Sequence, residues 1–357
     1  MAPRHSKINR RTLLTLLGST GIASSLATGS ARRAHASMSS ATQETGITPF
    51  EIRIGDDDLD DLRRRLIRTR WPEDSPGEPW AYGTDRAFLE ELIAYWRDEY
   101  DWRTHEANLN TFDHYTTTVA GQHLHFVHQR SQNPSAIPLL MTHGWPGTIW
   151  EMLPSVRALS NPSAGGGQAN DAFHIVVPSI PGFGFSGEPA EGTDIARTAE
   201  LWIGLMDTLG YEQFGAYGSD WGAGVTRELG ARFPDRVLGI HTPGAPPREQ
   251  RDPSTQEERD YLDRAELWSV DETGYQRIQG TKPQTLSYAM MDSPVGIAAW
   301  ILEKFNSWSD TTGDDVESAH SKDVLLTNIM VYIVTRTFNT ASLIYYGRRE
   351  EGGRLFD

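Results

Sequence analysis

Phe214-Gly215-Ala216-Tyr217-Gly218-Ser219-Asp220-Trp221-Gly222-Ala223-Gly224 is the stretch on which the fold turns. A short apolar run ends at a Gly-x-Asp-x-Gly turn, and a helical pattern follows through Val225, Leu229 and Phe233. That is the strand–turn–helix context of a nucleophile elbow, with Asp in place of the usual Ser. Gly218 and Gly222 suit so sharp a turn because neither carries a Cβ that would clash. An Asp lifted above a sheet there needs no base to activate it, because a carboxylate is already ionised at neutral pH. It can attack a carbon electrophile and leave an ester. An Asp that merely caps a helix fits the five residues by themselves even better, so the rest of the chain must decide.

Moving outward, strand and helix patterns alternate. Pro138-Leu139-Leu140-Met141-Thr142 reads as a buried strand running into His143-Gly144-Trp145-Pro146-Gly147. Phe173-His174-Ile175-Val176-Val177-Pro178 is another, running into Pro181-Gly182-Phe183-Gly184-Phe185-Ser186. A helix over about 194–209, the elbow, its helix and a strand at Val237-Leu238-Gly239-Ile240-His241 follow. Such alternation predicts an α/β fold whose mostly parallel sheet carries helices on both faces. Residues 245–345 break the rhythm and read as a helical lid over the elbow.

Upstream, a hairpin turns at Gly121, and its histidines, among them His123, His125 and His128, alternate with apolar residues like a solvent-facing strand edge. No spacing of acids and histidines there suits a metal. Two amphipathic helices precede the hairpin. One starts at Asp56-Asp57-Asp58 and carries Leu59, Leu62, Leu66 and Ile67; the other follows Thr84-Asp85 with Phe88, Leu89, Leu92, Ile93, Trp96 and Tyr100. Their wide stripes suit docking against a neighbouring domain.

Residues 37–47 read as a linker, and residues 1–36 as a targeting segment. Arg4, His5, Lys7, Arg10 and Arg11 form a basic start, Asn9-Arg10-Arg11-Thr12-Leu13-Leu14 resembles a twin-arginine export signal, and Ala34-His35-Ala36 supplies a small-x-small cleavage site. The mature protein is therefore expected outside a bacterial cytoplasm, periplasmic or extracellular. The 357 residues are 38% hydrophobic with 11 Trp, enough for one large core and an appendage. A formal charge of −15 disfavours nucleic acid and anionic membranes as partners. With no cysteine, thiolate chemistry and disulfides are excluded.

His-Gly-Trp-Pro, Pro-Gly-Phe-Gly-Phe-Ser and Gly-Ser-Asp-Trp-Gly, in that order, resemble the motifs of α/β-hydrolase-fold epoxide hydrolases. Thr69-Arg70-Trp71-Pro72 and Tyr95-Trp96-Arg97-Asp98-Glu99-Tyr100-Asp101-Trp102 are similar to the N-terminal domain of the microsomal subgroup, and Gly274-Tyr275-Gln276-Arg277-Ile278-Gln279-Gly280-Thr281-Lys282-Pro283 is similar to its lid. So are Leu325-Leu326-Thr327-Asn328-Ile329-Met330 and the Tyr345-Tyr346 pair; the resemblance covers roughly residues 47–350. It implies an epoxide hydrolase N-terminal domain at 48–130, an α/β-hydrolase core at 131–244, the lid at 245–345 and a shortened end at 346–357.

The resemblance also implies roles. Asp220 would be the nucleophile, and Tyr275 and Tyr346 the proton donors to the epoxide oxygen, with Tyr345 the less favoured match from its pair. A phenol suits that task because it stays protonated at neutral pH. The amides of Trp145 and Trp221 would form the oxyanion hole. Pro146 would follow a cis bond, and His143 would shape the loop rather than act as a base. The implied substrate is a small apolar epoxide with water, without cofactor or metal. The family's water-activating His and its orienting acid lie beyond two further core strands, which this reading expects to be missing through truncation of the reading frame. A haloalkane dehalogenase-like hydrolase or a non-catalytic binder of apolar ligands are the rivals.

Overall fold

A computed structural model describes residues 46–243, 253–313 and 315–350. The export signal, most of the expected linker and residues 351–357 lie outside the described residues. The strands are β1 (Thr48–Pro49), β2 (His114–Val119), β3 (Gln122–Gln129), β4 (Ile137–Thr142), β5 (Phe173–Pro178), β6 (Phe214–Gly218) and β7 (Val237–His241). They form one sheet in the order β1-β2-β3-β5-β4-β6-β7. The sheet is mixed: β5, β4, β6 and β7 run parallel, while β1, β2 and β3 extend it antiparallel. Ile175, Val176 and Val177 are all fully buried although successive side chains face opposite sides, so both faces are covered.

Three helices lie ahead of the hairpin: α1 (Asp56–Ile67), α2 (Arg86–Asp98) and α3 (Trp102–Leu109). The core adds α4 (Ile149–Ser160), α5 (Ile195–Thr208) and α6 (Trp221–Arg232). The helical region beyond β7 comprises α7 (Gln256–Asp271), α8 (Gly274–Gln279), α9 (Pro283–Asp292), α10 (Pro294–Trp308), α11 (Lys322–Thr335), α12 (Phe338–Ala341) and α13 (Leu343–Glu350). The amphipathic stripes dock as expected. Tyr95 donates to Asp323 at 2.8 Å, the Tyr100 and Thr327 hydroxyls pair at 3.0 Å, and Thr84 donates to the Ala299 carbonyl at 2.6 Å. Every residue from Leu325 to Tyr332 is buried, as befits a helix apolar on all sides. This helix holds the loop after β4: Asn328 Nδ2 donates to Pro146 O at 2.8 Å, and the Tyr332 hydroxyl donates to Gly147 O at 2.9 Å.

The hairpin histidines do not form a solvent-facing edge. His125 and His128 are buried, and only His123 is exposed. Because β3 lies inside the sheet, alternation there separates two covered faces. His114 Nε2 meets Leu109 O at 2.8 Å, so it donates; His114 Nδ1 then accepts from His125 Nε2, and His125 Nδ1 accepts from Ser179 Oγ, both at 2.9 Å. This relay joins the hairpin to the loop after β5. At the far flank β7 is the outermost strand, with Leu238 56% and Ile240 47% exposed.

Candidate active site

Strands β4 and β6 end side by side, Thr142 opposite Gly218, so the His143–Gly147 loop and the elbow share one end of the sheet. Asp220 adopts φ 51° and ψ −120°, a region that costs a non-glycine residue roughly 1–3 kcal/mol. A Cβ on Gly218 would collide with the Gly222 carbonyl, and one on Gly222 with the Thr142 carbonyl. Asp220 makes no side-chain cap bond to α6. Its carboxylate turns the other way: the Trp145 amide donates to Oδ1 at 2.9 Å, and the Trp221 amide also hydrogen-bonds the carboxyl. The capping reading is therefore excluded. The Trp145–Pro146 bond is cis.

Four buried aromatics gather beside this carboxylate. Trp145 stacks on Tyr275 with centroids 4.6 Å apart, Trp221 meets Tyr345 edge-on at 4.6 Å, and Tyr275 meets Tyr345 edge-on at 5.8 Å. Gln276 Nε2 donates to the Tyr275 oxygen at 3.0 Å, which leaves the phenolic proton for another acceptor. The Tyr345 hydroxyl is buried and meets the Tyr275 hydroxyl and the Trp221 indole. Burial first, and then the charge of Asp220 for Tyr275 or of Tyr275 and Asp220 for Tyr345, drives both phenols well above their usual range. Both therefore remain proton donors at neutral pH.

Tyr346 does not join them. It is 40% exposed, whereas Tyr345 is fully buried. Consecutive residues on a helix point about 100° apart, and α13 turns Tyr345 toward Tyr275 and Tyr346 toward solvent. The expectation that Tyr346 faces Asp220 is corrected to Tyr345.

Desolvation pushes the Asp220 carboxyl up to about 6, opposed by the Trp145 and Trp221 amides. Asp220 is itself exposed, so solvent limits that rise. His143 is buried with both ring nitrogens engaged: Nδ1 lies 3.1 Å from Gly144 O, and Nε2 accepts from the Ile180 amide at 3.2 Å. It shapes the loop, as expected. No cluster able to hold a metal occurs among the described residues.

Comparisons with known proteins give the chain its family and fold. Residues 47–152 match the epoxide hydrolase N terminus family, and residues 137–311 match the alpha/beta hydrolase fold. A Stigmatella aurantiaca protein named as an epoxide hydrolase is 45% identical over 317 residues, covering 87% of this chain and 72% of that protein. The chain belongs to the epoxide hydrolase family. Epoxide hydrolase 1 of Oryctolagus cuniculus is 32% identical over 331 residues, covering 85% of this chain and 73% of its own. The juvenile hormone epoxide hydrolase of the silkworm Bombyx mori superposes with a TM-score of 0.78 at 29% identity, over 86% of this chain and 78% of that one. This epoxide hydrolase has an α/β-hydrolase fold and is a hydrolase that needs no cofactor.

Two features of the epoxide hydrolase site escaped the sequence reading. A cleft of about 690 Å³ between the N-terminal helices and the helical region beyond β7 reaches Tyr275, lined by Trp71, Leu89, Met290, Trp300 and Lys304 among others, but Asp220 does not line it. Glu151, in the first turn of α4, lies close enough to Asp220 to feel its charge, and is likewise exposed. Its carboxyl is pushed up by desolvation and then by the Asp220 charge. A glutamate four positions after Gly147 was the available signal.

Proposed function

We propose that this enzyme opens apolar or aromatic epoxides through an ester on Asp220. Oδ1 is held by the Trp145 amide, which leaves Oδ2 to attack a ring carbon. Tyr275 and Tyr345 donate to the departing oxygen, Tyr345 taking the place first given to Tyr346. Water then attacks Cγ, and the amides of Trp145 and Trp221 hold the oxyanion that develops on Oδ1. The observation that carries this reading is the Trp145 amide on Asp220 Oδ1 with two buried, mutually packed phenols that both feel the charge of the same carboxylate.

Among the described residues no imidazole faces Asp220, so we read the second half as slow: alkylation outruns ester hydrolysis. A general base typically contributes about 10²–10⁴-fold. Residues 1–36 would direct export, and sequencing the N-terminus of secreted protein tests that; a start at Met1 rejects it. Incubation of the 357-residue chain with styrene oxide, read by intact mass, tests the chemistry. The expected product is an adduct one substrate mass above the protein, absent from Asp220→Asn. No adduct in the unsubstituted chain would favour a binder of apolar ligands.

A further inference from the structure

The two glycines of the loop after β4 make room for two different carboxyl groups. A Cβ on Gly144 would run into the Asp220 side chain, and a Cβ on Gly147 would run into the Glu151 carboxylate. Glu151 stands three residues after the cap residue Thr148, where a glutamate ordinarily bends back to bond the cap's own amide. It points instead toward the nucleophile. Its donors are the Gly144 amide at 3.4 Å and Ser219 Oγ at 3.5 Å, both long, so most of its acceptor capacity is unused.

The surroundings of Asp220 are two-sided. Trp145, Trp221, Tyr275 and Tyr345 are buried, whereas Asp220 and Glu151 are both exposed. Water thus has access to Glu151 and to Asp220 alike. We propose that Glu151 is a further catalytic residue, which holds the water that attacks the Asp220 ester and accepts its proton. This rests on the Asp220 reading above.

The step balances. The water oxygen bonds to Cγ, one water proton passes to Glu151, and negative charge gathers on Oδ1. Collapse breaks the bond between Cγ and the alkyl oxygen, the departing alkoxide takes the proton from Glu151, and the new Asp220 carboxylic acid releases its own to solvent. The groups facing Glu151 suit this order. Asp220 comes from the elbow, Tyr217 from β6 and Tyr332 from α11, and of these only Asp220 carries charge at neutral pH. Esterification removes that charge, so Glu151 ionises more readily once the ester exists. His143 cannot compete, since both its nitrogens are already bonded.

The test follows adducts already formed. The full chain, Glu151→Gln and Glu151→Asp are alkylated with styrene oxide, freed of excess epoxide, and the adduct mass is followed from pH 5 to 9. The unsubstituted adduct should decay about 10²-fold faster than that of Glu151→Gln. Its rate should climb to a plateau as Glu151 ionises, an inflection absent from Glu151→Gln, and Glu151→Asp should restore part of the rate. Equal decay in the unsubstituted and Gln chains overturns the Glu151 role while leaving Asp220 as nucleophile. Failure of the unsubstituted chain to form any adduct overturns the Asp220 reading and this inference with it. Should Glu151→Gln take no adduct, the Asp variant decides: loss of the pH plateau there sinks the proposal, and its retention upholds it.

Discussion

The Trp145 amide donates to Oδ1 of Asp220 over 2.9 Å, which divides one carboxylate into a held oxygen and a free one. The held oxygen is already where an oxyanion would need its donor. The site is thus organised around the second half of an acyl-type reaction before any substrate arrives.

A single turnover in heavy-oxygen water is expected to place the label in Asp220 rather than in the product. Water attacks Cγ, so the new oxygen stays with the protein. The mass of the peptide carrying Asp220 reads this directly, and label found only in the diol would exclude the ester.

The tyrosines separate sharply. Tyr345→Phe and Tyr275→Phe should each slow adduct formation by about 10²-fold, the lower end for loss of a general acid because the other phenol remains. Tyr346→Phe should change it less than about twofold, since an exposed ring away from these features rarely matters. Equal losses at 345 and 346 would refute the assignment.

Alkylation should rise with pH and level off. Only the carboxylate attacks, and the Asp220 carboxyl is shifted from 3.8 up to about 6, so the inflection belongs between those values. Its rate profile, measured from pH 4 to 8, checks the sign; a rate that falls across that range contradicts an ionised nucleophile.

Acid should weaken the fold through two buried histidines that take no part in the chemistry. His128 and His143 are buried, and desolvation lowers each from 6.5 to about 4. A base whose folded value is depressed leaves stability intact above 6.5 and erodes it as pH falls toward 4. The loss is about 1.4 kcal/mol per pH unit for each. Urea midpoints at pH 7.5 and 5 measure it, and equal midpoints would show that these rings are already charged or open to water.

The elbow was legible in the sequence because glycines at 218 and 222 and an apolar run admit few alternatives, and the motif order carried Trp145 and Tyr275 with it. The register of α13 was not legible, because Tyr345 and Tyr346 are chemically identical and only packing distinguishes them. Within α13 the buried residues are Ile344, Tyr345 and Gly347, and the apolar Ile344 beside Tyr345 was the missed clue. The histidines of β3 misled for a different reason: alternation reports two faces, and here both are covered. Glu151 was overlooked because a glutamate in a first helical turn normally signifies a cap.

Tyr275 and Tyr345 come from the helical region beyond β7, and Asp220 follows the end of β6. In the proposed mechanism, an epoxide whose oxygen is gripped by the phenols must therefore present the opposite face of its ring carbon to the carboxylate. The attacked carbon inverts once, and the later cleavage at Cγ does not touch it. A cyclic epoxide handled in this way gives a trans diol, and a symmetrical one gives enantiomers in a ratio set solely by which of its two carbons lies nearer Asp220.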